Sequence, residues 1–410
     1  MVIILENIEE IYNKISVIIP AYNASQFIEA TLDSVIGQTH PIDEVLIIDD
    51  CSTDNTVEIV NKYRGRYKNI QLIQQPMNQG GSAARNLGLK IARNEWILFM
   101  DADDVAHPTL LEKEVNLLSE INENQADIIL VHPAYIQIDE NGAEIPGSEM
   151  RGKQLEAHEI FGTLLFRNHI ITPSGLLLKR EKALEVGGFQ KFQIVEDYDF
   201  VLRMSRQGYF AYVDEPLIYL RRHGANLTKD ISKARDAEKA IVEQYGIDTI
   251  KKAIFARNLP YAQNLIDFVN MLFRYEQWEE GFNQLKASEV VDVEKENIQI
   301  SVTFLYGIYY LHKQSYTEAL NFFHDIIEKK PSHGAALNNI SVLYILEKKN
   351  IEKSMQLLKK AIEIYPGYMD AMHNLQLIEE NRVNYDENHP TQNDFRFTWR
   401  ELRPQLLRYS

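Results

Sequence analysis

Apolar and polar positions alternate with two different periods along the first half of the chain. Ile15-Ser16-Val17-Ile18-Ile19-Pro20 is a β-branched run stopped by proline, and Glu44-Val45-Leu46-Ile47-Ile48-Asp49-Asp50 is a second run that ends in acids. Ile70-Gln71-Leu72-Ile73 is a short third run, and Trp96-Ile97-Leu98-Phe99-Met100 is a fourth. Short apolar runs bounded by polar residues predict buried strands. Between them, residues 27–35, the stretch carrying Val57, Ile59 and Val60, and the stretch from Gly80 to Ala92 have helical spacing. Ser25 is the candidate N-cap of the first helix, and Thr53 or Asp54 of the second. Such alternation predicts βαβ units and a parallel sheet.

A helix from Leu110 to Ile121 should lead to a strand over 127–131, and the polar, glycine-containing stretch 139–155 to a surface loop or hairpin. Thr172-Pro173-Ser174-Gly175-Leu176-Leu177-Leu178 predicts a strand near the strand-end clusters, 196–206 an amphipathic helix, and 209–221 a last strand. Beyond about residue 229 only helical periodicity remains. There, 315–331 aligns with 350–366 at an offset of 35 residues. Gly307, Tyr310, Ala319, Phe323 and Pro331 fall at the spacings of a tetratricopeptide repeat, with a weaker copy around Trp278 and Gly281. An irregular helical bundle is the alternative. The expected division is an N-terminal extension (1–14), an α/β domain (15–228), a helical linker (229–261), helical repeats (262–382) and a tail (383–410). The tail turns aromatic and basic at Phe395-Arg396-Phe397-Thr398-Trp399-Arg400, which fits a closing helix or a contact patch for an acidic partner.

A chain of 410 residues is too long for one ordinary core. With 45% hydrophobic and 25% charged residues it has a soluble globular composition. The net charge of −16 argues against nucleic-acid binding, which needs basic stripes. Cys51 is the one cysteine, so neither an intrachain disulfide nor a cysteine metal site can form. The N-terminal stretch reads as neither signal peptide nor anchor, and no apolar run is long enough to form a transmembrane segment. A cytoplasmic location is expected.

Four polar clusters stand at the ends of the predicted strands: Pro20-Ala21-Tyr22-Asn23, Asp49-Asp50-Cys51-Ser52-Thr53-Asp54, Asn78 to Asn86, and Asp101-Ala102-Asp103-Asp104. Carboxylates at the carboxyl end of such strands lie where open α/β sheets bind ligands. Two of them one residue apart can hold a hard divalent cation, and the cation can hold a diphosphate. Singly, each cluster is explained by caps and turns. Together they closely resemble the family 2 glycosyltransferases, through SVIIPAYN, IIDDCSTDNT, NQGGSAARN and FMDADD. The resemblance covers about residues 14–228. It implies a GT-A fold, Rossmann-like with a mostly parallel sheet, here followed by an all-α tetratricopeptide-like repeat domain. The family usually has glycine where Cys51 stands.

By that resemblance, Pro20, Ala21 and Tyr22 contact the nucleotide, and Asp50 accepts a hydrogen bond from uracil. Gly80 and Gly81 let the backbone pass close to ligand, and Arg85 stands near the diphosphate. Asp101, Ala102 and Asp103 form the DxD element, which binds the ribose and, through Asp103, a Mn²⁺ or Mg²⁺ on the donor phosphates. Asp104 serves there or caps a helix. Glu196-Asp197 is the family's acidic pair, with Asp197 as general base, because an acceptor hydroxyl needs its proton removed as it attacks. Asp199 would point roughly 200° away from Asp197 on a helix. Arg221 or Arg222 could pair with the diphosphate, and His223 could ligate the metal or touch phosphate. Asn226-Leu227-Thr228 extends that closing segment. His132, Thr172 and Ser174 are candidates for the acceptor pocket.

The expected function is inverting, metal-dependent transfer from a nucleotide-sugar, a UDP-sugar by the resemblance, to a hydroxyl of a glycan, peptide or protein that the repeats present. Repeat faces serve a homo-oligomer equally well. The alternative is a non-catalytic nucleotide-sensing scaffold whose repeats bind a protein partner; the intact acids argue against it. A sugar-phosphate nucleotidyltransferase would need a basic, glycine-rich loop after the first strand, and Pro20-Ala21-Tyr22-Asn23 is not one.

Overall fold

A computed structural model describes residues 14–122, 127–192, 194–224, 231–287, 296–347 and 350–381. The first compact unit ends at Arg257 and the second begins at Asn258. In the first, the chain runs β1 (Ile15–Ala21), α1 (Ile28–Ile36), β2 (Glu44–Asp49), α2 (Thr56–Arg64), β3 (Ile70–Gln74), α3 (Gly81–Ile91), β4 (Trp96–Phe99), β5 (Val105–Ala106) and α4 (Leu110–Asn122). It continues through β6 (Ile128–Ile138), α5 (Ala157–Phe166), β7 (Leu176–Lys179), α6 (Arg180–Glu185), α7 (Glu196–Met204), β8 (Tyr209–Arg221), α8 (Ile231–Glu243) and α9 (Ile247–Phe255).

The eight strands form one sheet in the order β3-β2-β1-β4-β7-β6-β8-β5. β1 is parallel to β2 and β4, and β2 to β3. β7 runs antiparallel to both β4 and β6. The parallel half is therefore as the alternating pattern requires, while β7 enters reversed, after a turn at Pro173–Gly175. The chain leaves β1 toward β2 on one side and returns to β4 on the other. That reversal of direction opens a crevice outside the carboxyl ends of β1 and β4.

One face of the sheet packs on α1, α2 and α4 through Val17, Ile19, Val45, Ile47 and Leu98, against Ile28, Leu32, Val60 and Leu111. On the other face α3 lies close to β1. A Cβ at Gly88 would stand 2.4 Å from Ile18, so only glycine permits this approach.

Several local expectations change. The N-cap of α1 is Phe27, without a side-chain cap; Ser25 instead donates its N–H to Asp54 at 3.0 Å. Asn55 caps α2, and Asp54 accepts the Thr56 N–H at 2.9 Å from one residue further out. β6 runs to Ile138 rather than 131, because Pro133 falls at a bulge and the polar stretch begins only at Asp139.

The segment 229–261 carries α8 and α9. A Cβ at Gly162 of α5 would lie 2.1 Å from the Ala253 carbonyl oxygen of α9, so the two helices touch backbone to backbone. Gly162→Ala should force them apart and cost about 1–3 kcal/mol, as overpacking generally does. Thermal unfolding checks this; an unchanged melting temperature would mean α9 does not pack there.

The second unit contains α10 (Tyr261–Arg274), α11 (Trp278–Ala287), α12 (Glu296–His312), α13 (Tyr316–Lys329), α14 (Gly334–Leu346), α15 (Ile351–Ile364) and α16 (Met369–Asn381). Buried Ala319, Leu320, Phe323 and Ile326 of α13 recur 35 residues later as buried Ser354, Met355, Leu358 and Ala361 of α15. Gly307 admits the Phe323 ring and Gly281 the Phe273 ring, each 2.6 Å from where a Cβ would be. No helix among the described residues is long and apolar enough to cross a membrane. Asn226-Leu227-Thr228 and the basic-aromatic tail lie outside the described residues.

Candidate active site

The loops after β1 and β2 hold each other. Asn23, at φ 47, gives its N–H to Ser52 Oγ at 2.9 Å, and its side-chain oxygen accepts the Thr53 N–H at 2.8 Å. Pro20 and Ala21 close β1, and Tyr22 is left 51% exposed, an open aromatic face at the crevice. Asp50 is buried, and its carboxylate accepts three protein donors: Gln75 Nε2 and the Gln79 N–H at 2.8 Å each, and the Gly80 N–H at 2.7 Å. A carboxylate has about four acceptor sites, so about one remains for a ligand. The Gly80 N–H is thus committed to Asp50 at φ 88, and Gly81 begins α3.

Cys51 sits at φ 67 in this loop. A side chain in the left-handed region costs about 1–2 kcal/mol, of which glycine's greater chain entropy would cancel part. Cys51→Gly should therefore stabilise the protein by about 1 kcal/mol in chemical denaturation; a loss of stability would contradict the strain.

Beside β4 the acids are sorted by their partners. Arg85, almost fully buried on α3, reaches Asp101 at 2.6 Å with Nη2 and Glu196 at 3.1 Å with Nη1. Its guanidinium also lies 5.2 Å from the centre of Phe189, whose backbone Asn86 clamps through two hydrogen bonds of 2.7 and 2.8 Å. Arg85, expected near the diphosphate, thereby links the DxD element to the Glu196-Asp197 pair. Asp103 Oδ2 meets His223 Nε2 at 2.9 Å. Asp104 caps no helix: buried, it accepts Ser174 Oγ at 2.6 Å and the Arg221 N–H at 3.0 Å. Ser174 also accepts the Asp101 N–H at 2.9 Å. It is fully buried and supports the loop from below instead of lining a pocket.

Arg221 is buried and braces the same loop. It donates to the carbonyls of Asp103 (2.9 Å), Asp139 (3.2 Å) and Glu140 (3.1 Å), and lies 5.1 Å from the Phe27 ring centre. Phe27 also packs against His223, the ring centres 4.6 Å apart and the planes tilted by 34°. These carbonyls take the place of the diphosphate contact expected of Arg221. Arg222 bonds Gln137 at 2.9 Å. No motif announced Phe27, Gln75 or Phe189 as parts of the site; each acts by packing or by holding a carboxylate.

Glu196 begins α7, preceded by Val195 at φ 61. Asp197 is half-buried, and loss of water together with the Glu196 charge pushes its carboxyl up to about 7; Arg85 works in the opposite direction. Asp199 is turned away and buried, paired with Arg203 at 2.5 Å. Asp103 is likewise raised, by burial and by the Asp101 charge, with His223 opposing.

Among the described residues no three His, Cys, Asp or Glu side chains converge as a metal site. Magnesium and manganese on substrate phosphates need only one or two protein ligands. Asp103 and His223, an anionic oxygen and an imidazole nitrogen side by side, fit that requirement.

A family model described as glycosyl transferase family 2 matches residues 16–186. The amylovoran biosynthesis glycosyltransferase AmsB of Erwinia amylovora is 32% identical over 206 residues, covering 49% of this chain and 67% of that protein. A poly(ribitol-phosphate) beta-glucosyltransferase of Bacillus spizizenii is 32% identical over 215 residues, 48% of this chain and 33% of that protein. The chain thus spans only about a third of the Bacillus relative. Among solved structures, S. aureus TarS 1-349 in complex with UDP-GlcNAc aligns at 20% identity and a TM-score of 0.48, over 85% of this chain and 91% of that one.

Proposed function

This chain belongs to glycosyltransferase family 2, and on that premise we propose that it transfers a sugar from a UDP-sugar to an acceptor hydroxyl, with inversion at the anomeric carbon. The observation that supports this best is the Arg85 bridge. It joins Asp101 of the DxD element to Glu196 beside Asp197, so the donor-holding and proton-accepting groups share one site. Tyr22 offers its face to the base or ribose, and Asp50 keeps about one acceptor site for the uracil edge. Asp101 and Ala102 line the ribose, with the Gly81 turn alongside. Asp103 and His223 would hold a Mn²⁺ or Mg²⁺, which when bound neutralises charge growing on the departing diphosphate.

Asp197 is the general base. A carboxyl near 7 is better matched to an alcohol proton than an ordinary aspartate, yet is still ionised in half the molecules at neutral pH. Glu196 holds Arg85 and, by its charge, contributes to that matching. The base must be ionised to act, so kcat/KM should rise with pH through about 7 and level off above it. A pH–rate profile flat from 5.5 to 8.5 would contradict the assignment.

The acceptor is a glycan, peptide or protein. The helices from α10 onward form a tetratricopeptide-like array that holds it, as supported by the 35-residue recurrence of buried positions between α13 and α15. The test of the function is release of UDP from a panel of UDP-sugars with Mn²⁺ and candidate acceptors. Turnover with at least one donor supports the reading. Nucleotide binding without turnover of any donor would favour the scaffold.

A further inference from the structure

The turn after α6 is held from two sides. Val186 caps that helix, Gly187 and Gly188 follow at φ 85 and 65, and Phe189 comes next. From α3, Asn86 accepts the Phe189 N–H on Oδ1 at 2.8 Å and donates from Nδ2 to the Phe189 carbonyl at 2.7 Å. From α7, Arg203 donates to the carbonyls of Val186 at 2.5 Å and Gly188 at 2.8 Å. A Cβ at Gly188 would stand 2.2 Å from Asn86 Oδ1, so only glycine admits the amide this closely.

What the turn delivers is one ring. Phe189 is buried, and three elements of the site meet on it. Its ring stacks on Phe200 of α7 at 4.2 Å, meets Phe99 of β4 edge-on at 5.2 Å, and lies 5.2 Å from the Arg85 guanidinium of α3. Phe99 ends the strand that leads into Asp101-Ala102-Asp103. Phe200 follows Glu196 by four residues and Asp197 by three, so it shares their side of α7. Arg85 supplies the charged link between the two acidic groups, and Phe189 supplies the flat apolar surface beside it. Asn86 is neutral and both of its side-chain polar atoms are bonded to Phe189, so it acts on the acids without adding charge.

We propose that Asn86 is a positioning residue for the transfer step: by clamping Phe189 it sets the base-bearing start of α7 against the DxD strand and keeps water out of the packing beside Arg85. The inference rests on the transferase reading above, in which Asp197 is the base. A hydroxyl held between donor and base reacts only in register, and a displacement of about 1 Å can cost about 100-fold in rate. Asp197 faces Glu196 on its own helix, Arg85 of α3 and Asp101 after β4, and Tyr135 of β6 feels its charge. Burial is the largest influence on its carboxyl and pushes it up to about 7. Water admitted at Phe189 should therefore let that carboxyl fall back toward the ordinary aspartate range.

The experiment is a ¹³C NMR titration of the full chain labelled at its aspartate carboxyls, the Asp197 signal being identified by its loss in Asp197→Asn. Asn86→Ala and Gly188→Ala disturb the same contact from opposite sides. In each, the Asp197 midpoint should fall by about half a pH unit or more. In each, kcat should fall about ten-fold or more while the affinity for UDP stays within a factor of about three. The double variant should be no worse than the poorer single one, because both changes break one contact. Phe189→Leu keeps the backbone bonds and removes the ring. It should move Asp197 in the same direction, and its result stands for the others if thermal melts show that they do not fold. An unmoved Asp197 midpoint in the folded variants, or UDP affinity lost in proportion to kcat, would overturn the proposal. Because Asp197 is titrated without donor or acceptor, a wild-type protein that turns over no UDP-sugar would refute the transferase, while the midpoints would still decide whether Asn86 positions Asp197.

Discussion

Asp197→Asn should lower kcat by about 10²–10⁴-fold while leaving the affinity for UDP within a factor of about two. The asymmetry follows from where the residue stands. Asp197 is on α7, across the Arg85 bridge from Asp101, and holds none of the donor-side loops. Its carboxylate accepts the Tyr198 N–H at 2.8 Å, a bond that asparagine can keep through its side-chain oxygen. The substitution therefore removes a proton acceptor at nearly constant shape. A loss of 10³-fold corresponds to about 4 kcal/mol of transition-state stabilisation. Single-turnover rates and UDP titration separate the two effects. A variant with near-normal kcat would move the base elsewhere, and one that no longer bound UDP would make Asp197 part of the donor site.

Arg85→Met should be the most damaging single change to the fold around the site. Arg85 is buried and compensates Asp101 and Glu196 directly, with Asp197 adding to the negative charge about it. Removing one partner of a buried pair costs about 3–5 kcal/mol, because uncompensated charge remains in place of the pair. For a domain of 150–250 residues, 1 kcal/mol moves the melting temperature by about 2–4 °C, so a drop of roughly 6–20 °C is expected. Methionine keeps most of the packing on Phe189 without the charge, which isolates the electrostatic part. Arg85→Lys should restore some stability but little activity, since one ammonium cannot reproduce a planar fork spanning two carboxylates. The carboxyl of Asp197 should rise further without Arg85, moving the rising limb of the pH–rate profile toward higher pH. An unchanged melting temperature in Arg85→Met would show that the bridge is dispensable.

The sheet and the strand-end clusters were legible because they depend on local rules. Continuous β-branched runs bury on both faces, and an acid at the end of one buries only where donors meet it, as they do at Asp50, so Asp49, Asp50, Asp101 and Asp103 marked the crevice. What was not legible depends on contacts across long separations. The roles of Ser174 and Arg221 require β7 and β8 to return beside β4, a pairing with no local signature. Arg85 was visible as a residue of the site, but its bridge to Glu196 spans 111 residues of sequence. The reversed entry of β7 escaped for the same reason: the run Leu176-Leu177-Leu178 is equally apolar in either direction. In the second unit, the 35-residue offset in the sequence reappears as matching buried faces, because helix pairing is itself local.

The single-displacement mechanism, with Asp197 taking the acceptor proton, is tested most directly by the anomeric configuration of the product. With a donor that is α-linked to UDP, proton NMR of the fresh transfer product should show a β linkage. An α-linked product would contradict a single inverting displacement and remove Asp197 from the role assigned to it.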